Sequence, residues 1–93
     1  MLSDIPKNLD KVNEKDIDNE IARVGMIAEL DAVNLYEQLA ARAKSFLLKE
    51  VLLDIAKEEK THVGEFQALL LKGDKEQVRE LESGKKEAED KSR

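Results

Sequence analysis

Residues 52–70 read LLDIAKEEKTHVGEFQALL, and this stretch decides what kind of molecule the chain can be. Apolar side chains recur at Leu52, Ile55, Ala56, Val63, Phe66, Leu69 and Leu70, three and four residues apart, as on one face of an α-helix. Glu59 falls inside that stripe. Ile55 and Ala56 lie one turn before it, His62 and Val63 one turn after, and Phe66 a turn beyond those. An isolated carboxylate on a face that must be buried costs several kcal/mol unless it is paired or bound to a metal. His62 projects an imidazole from the same face, and carboxylate oxygen with imidazole nitrogen suits iron, manganese or zinc. A lone Glu-x-x-His is a weak signal, and a hydrogen-bonded core histidine is the plain alternative. The central position of Glu59 on the apolar stripe is what gives the pair weight.

Upstream, a second periodic run spans about residues 14–43, with Ile17, Ile21, Val24, Ala28, Ala32, Leu35, Leu39 and Ala43 on one face. Asn13 followed by Asp16 reads as its N-cap and acidic first turn. The break between the runs holds neither Gly nor Pro; Ser45 is the best cap available to start the second helix. The second run should end at Lys72, with Gly73 as the left-handed residue that closes the helix. Asp74 and Gln77 have the spacing that opens a short third helix, to about Ser83. Residues 1–12, with the single proline Pro6, read as an irregular arm, and residues 84–93 as a mobile polar tail. No strand pattern is present. The expected fold is all-α: an antiparallel two-helix hairpin plus a short C-terminal helix, within residues 13–83.

Glu29 is a second misplaced acid, flanked by Gly25, Met26, Ala32 and Val33, with Tyr36 two turns on. If the turn centres on Ser45, Glu29 lies 16 residues before it and Glu59 lies 14 after. At about 1.5 Å per residue both then stand roughly 20–25 Å from the turn, at matching height. Gly25 costs about 1 kcal/mol relative to Ala inside a helix, which points to a close approach to its backbone. Asp31 lies among Ile27, Ala28 and Leu35 and reads either as lining an approach for metal ions or as capping an interface. Tyr36 reads equally as a core aromatic or as a hydroxyl hydrogen-bonded to a ligating carboxylate.

A chain of 93 residues is one domain at most, and domains this small are marginal alone unless disulfides, metals or partners help. With no cysteine, disulfides and thiolate metal sites are excluded, which leaves metal bound by O and N donors, and oligomerisation. The net charge of −5 argues against a nucleic-acid binder. No apolar run approaches the roughly 20 residues needed to cross a bilayer, so a soluble, cytoplasmic protein without membrane partners is expected. Two helices cannot enclose a core. A second hairpin would complete a four-helix bundle, and the dimer would hold four carboxylates and two imidazoles, the donor set of a ferritin-like di-iron site.

The segments AELDAVNLYEQ, residues 28–38, and LLDIAKEEKTHVGEFQALL closely resemble the encapsulated ferritins, a branch of the ferritin-like superfamily related to rubrerythrins. The resemblance covers roughly residues 14–83. It implies a two-helix subunit with a shorter third helix and a ferroxidase centre formed only across a dimer, with Glu29, Glu59 and His62 as the iron ligands. It places Tyr36 beside that centre and Asp31 where metal ions approach it. It further implies rings of dimers, typically decamers, held inside an encapsulin nanocompartment where the iron is mineralised. Free-standing members end in a Gly- and Leu-containing targeting peptide. The tail GKKEAEDKSR has none, as in a domain cut from a fusion with the shell protein, a trimmed chain or an unencapsulated member.

The activity expected is therefore oxidation of Fe(II) to Fe(III) at a di-iron site shared by two subunits. A rubrerythrin-like peroxide reductase is the enzymatic rival, weakened because no four-cysteine module is present to deliver electrons. A non-catalytic helical interaction module is the other, in which the acids merely pair with Lys or Arg.

Overall fold

The computed structural model describes residues 8–91. Two 3-10 turns, Leu9–Lys11 and Glu14–Asp16, lead into three helices: α1, Ile17–Arg42; α2, Phe46–Gly73; and α3, Lys75–Lys91. Among the described residues there is no strand. The all-α hairpin read from the two apolar stripes is what forms. Residues 1–7 of the expected arm, Pro6 included, lie outside the described residues.

Each break has a local cause. Asn13 does not cap α1: its side chain takes no backbone hydrogen, and the α-helix begins at Ile17. The carbonyl of Asn13 instead accepts Asp16 N at 2.9 Å, which winds residues 14–16 as a tighter 3-10 turn. At the far end of α1, Ala43 N reaches the carbonyls of Leu39 at 3.0 Å and Ala40 at 3.3 Å, and Ala43 then turns extended. Ser45 Oγ accepts Leu48 N at 3.2 Å and starts α2. The hairpin turn thus rests on the serine cap that the sequence offered.

Gly73 behaves differently from the expectation. No glycine among the described residues has positive φ, and Gly73 is the last helical residue of α2. Its carbonyl accepts Asn19 Nδ2 of α1 at 3.0 Å, and a Cβ there would collide with Asn19 Oδ1. The position uses the space beside its backbone for the Asn19 amide, not a left-handed conformation.

Asp74 interrupts the chain with extended geometry and caps α3 by accepting Gln77 N at 2.9 Å. It also takes Arg23 Nη1 at 3.3 Å, and Arg23 in turn holds Glu20 at 2.6 Å, so one acid ties the α2–α3 corner to α1. Asp74→Ala should cost about 1 kcal/mol through the lost cap. Hydrogen exchange should then show faster exchange over residues 75–78 with α1 and α2 unchanged; unaltered protection there would contradict this role.

The third helix continues past its expected end at Ser83, through Gly84, to Lys91. Residues 85–89 are Lys, Lys, Glu, Ala and Glu, all strong helix formers, and one glycine costs only about 1 kcal/mol.

Among the described residues, those buried in the single chain are Ala22, Val33 and Ala40 of α1 and Ala56 and Leu70 of α2. Three are alanines, small enough to let the two helices approach closely. Larger apolar residues remain open to solvent, among them Ile21, Leu30, Leu39, Phe46, Leu48 and Leu69. One hairpin leaves much of its own apolar stripe uncovered. No described helix is long and apolar enough to cross a membrane.

Candidate metal centre

The antiparallel register places Glu29 of α1 against Glu59 and His62 of α2. His62 Nδ1 lies 3.2 Å from Glu29 Oε2 and 3.4 Å from Glu59 Oε2. One donor atom from each of the three falls within 4.8 Å of the others. Glu59 and His62 share a face because they are three residues apart on one helix. Glu29 joins them because the short Ala43–Ser45 connection holds the hairpin in the register that the residue count anticipated. The three residues predicted to converge do so.

The electrostatics are unusual for a purely structural cluster. Among the described residues, His62 is the only basic side chain within ion-pair distance of Glu29 or Glu59. The nearby cation Lys60 is committed elsewhere, 3.1 Å from Glu37. A module that used its acids only for Lys or Arg pairing would place such a partner here. With a proton on Nδ1, His62 can bridge the two carboxylates. A metal ion would compete for the same Nδ1 and Oε2 atoms. Two carboxylates and an imidazole are suitable donors for iron.

The site is not enclosed within one chain. The side chains of Glu29 and Glu59 keep 20% and 19% of their exposure, and that of His62 keeps 42%. No charged or polar residue is buried among the described residues of the single chain. Their face is the open side of a hairpin.

Tyr36 is half-buried two turns from Glu29, and its hydroxyl makes no hydrogen bond within the described chain. Asp31 is not brought to the cluster, since two residues along a helix turns it away from the Glu29 face. Its Oδ2 is shielded from solvent without a hydrogen-bond partner, and it borders a cleft with Asn34, Leu35 and Gln38. Sequence reasoning missed the Glu37–Lys60 pair beside the cluster. It also left open what approaches Gly25, which is the ring of Phe66.

A hairpin that offers a Glu from one helix and a Glu-x-x-His from the other presents the same residue types as half of the donor set of a ferritin-like carboxylate bundle. A sequence profile of the EncFtn-like family matches residues 4–83, and the chain belongs to that family. It is 52% identical over 83 residues to the ferritin-like-encapsulin shell fusion protein of Pyrococcus furiosus, an alignment that takes in 89% of this chain. The chain spans 24% of that relative's length. Its fold matches the crystal structure of the encapsulated ferritin domain from Pyrococcus furiosus with a TM-score of 0.83. That match has 50% identity and covers 97% of this chain and 94% of the other. The family resemblance read from residues 28–38 and 52–70 is borne out.

Proposed function

We propose that this chain is a ferroxidase, active when two copies join their open faces so that Glu29, Glu59 and His62 of each hold a pair of iron ions. The observation that carries this reading is the convergence of one donor atom from each of those three side chains within 4.8 Å on an incompletely covered face, with no Lys or Arg among the described residues to neutralise the acids. Fe(II) is the substrate. Each ion gives up one electron, and dioxygen or peroxide takes the electrons in pairs together with protons. The carboxylates favour the more highly charged Fe(III) product.

The dimer would build into a ring, of which a decamer is the expected size. Because a relative is a fusion with an encapsulin shell protein, the iron would be delivered to a mineral inside such a shell. The shell protein would be joined in the same polypeptide or bound as a separate partner. The protein would then work in the cytoplasm, within that nanocompartment.

An anaerobic Fe(II) titration followed by native mass measurement tests the core of the reading. Uptake should saturate at two Fe(II) per dimer, and admission of air should produce ferric absorbance. A protein that takes up no iron at micromolar concentrations refutes it. Metal should also stabilise the assembly, because it binds the folded dimer and not the unfolded chain. At a hundredfold excess over its dissociation constant the gain is about 2.7 kcal/mol. Thermal unfolding should therefore move upward with added metal, whereas an unchanged midpoint would count against a site that forms on folding.

A further inference from the structure

Gly25 and Phe66 touch one turn away from the carboxylate–imidazole cluster. A Cβ built on Gly25 would lie 2.7 Å from Phe66 Cε1 and 2.8 Å from both Cδ1 and Cζ. A relaxed carbon–carbon contact is about 3.5–4.0 Å, so the ring rests directly on the backbone of α1. Gly25 has no positive φ and sits in the middle of a regular helix. Its conformational freedom is not what the position uses, and a glycine there costs about 1 kcal/mol relative to alanine. What the position needs is the absence of a side chain. Gly64 of α2 is the contrast, because a Cβ there would meet nothing within 4 Å.

The placement of this contact matters. Gly25 is one turn before Glu29 on α1, and Phe66 is one turn after His62 on α2. Since the helices are antiparallel, the ring-on-backbone contact lies beside the Glu29–His62 contact, about 6 Å away along the axis. Helices are stiff over one turn, so the separation at the first contact sets the separation at the second. A methyl group at residue 25 must displace either the ring or the helix by roughly 1 Å to restore a relaxed contact. Metal–ligand distances hold within about 0.2 Å, so a displaced helix would take Glu29 out of reach of a shared ion.

We propose that Gly25 and Phe66 are positioning residues that set the spacing and register of α1 and α2 at the height where Glu29 meets Glu59 and His62. This role rests on the reading of those three residues as metal ligands. Neither Gly25 nor Phe66 touches the metal; they act through the helix backbones.

The test uses the full chain and Co(II) as a spectroscopic probe, with affinity and visible d–d absorption measured for four variants and the wild type. Gly25→Ala should bind Co(II) about tenfold more weakly and with an altered d–d spectrum, although alanine favours the helix. A purely structural residue would move the unfolding midpoint and leave the spectrum of the loaded site alone. Gly25→Ala combined with Phe66→Val, which deletes all three atoms that the methyl group meets, should restore the wild-type spectrum and most of the affinity. Gly64→Ala should match the wild type. Glu59→Ala should lose the spectrum.

Wild-type Co(II) affinity and spectrum in Gly25→Ala would mean that the ring simply yields, and would overturn the positioning role alone. Failure of the double variant to recover would overturn it as well, since the defect would then not be steric. A wild-type protein that binds no Co(II) would remove the metal reading and the positioning role together. Circular dichroism on each variant separates a loss of site from a loss of fold.

Discussion

Glu59→Ala is expected to reduce Fe(II) oxidation on the order of a hundredfold while leaving the hairpin folded. Loss of a group that merely orients a ligand weakens metal sites by about 10–100-fold, so removal of a ligand itself belongs at or beyond the upper end. In a symmetric dimer the substitution removes two donors at once. The helix should tolerate the change, because alanine is the better helix former and the side chain makes no contact with a Lys or Arg among the described residues. Removing one of two acids that face each other across His62 also relieves like-charge repulsion in the metal-free chain. Ferric absorbance after mixing with Fe(II) in air measures the rate, and circular dichroism with native mass measures fold and assembly. Glu58→Ala supplies the control, since Glu58 is exposed and lies one residue off the stripe. Oxidation by Glu59→Ala within a few-fold of the wild type would defeat the assignment of this residue as a ligand.

The site was legible in the sequence for reasons that belong to single helices. Glu59 and His62 are neighbours by helical spacing alone, and an acid inside an apolar stripe is conspicuous without any structure. Glu29 needed one further step, the count of residues from a turn at Ser45. That count worked because the helices are regular and the connection is short. The glycines show where such reasoning stops. Gly25, Gly73 and Gly84 each interrupt a helical pattern and look alike in one dimension. A side chain at residue 25 would meet the ring of Phe66, and one at residue 73 the amide of Asn19, partners that lie on the opposite helix in each case. Gly84 has nothing near it, and the helix runs through. Local signals predicted a helix stop at Gly73 and at Gly84. Only the first coincides with a helix end, and there the break comes from the extended backbone of Asp74, not from a left-handed glycine.

Leu69→Asp is expected to convert the proposed dimer to monomers and to carry the proposed Fe(II) oxidation away with it. Leu69 follows Glu59, His62 and Phe66 on one face of α2, at intervals of three and four residues. It lines a shallow cleft with Ile21, Ala22 and Phe66, and 61% of it is exposed in the single chain. So little of the side chain is used within the hairpin that its replacement should not unfold α1 and α2. Its value lies in what a second copy would cover. Burying a leucine is worth about 1.5–3 kcal/mol, and a twofold axis counts the residue twice. With 61% of each copy left to cover, the loss is roughly 2–4 kcal/mol before any cost of burying the new carboxylate is added. At 1.4 kcal/mol per factor of ten, the dimer should dissociate at concentrations at least about thirtyfold higher than the wild type does. Sedimentation across a dilution series reads this directly, and helicity at the same concentrations shows whether the hairpin survives. Because one chain supplies only half of the proposed donor set, oxidation should fall along with the fraction of dimer and recover when the variant is concentrated. A Leu69→Asp protein with wild-type mass and wild-type oxidation would mean that this face stays in water. The iron pair would then have to be held somewhere other than between two such faces.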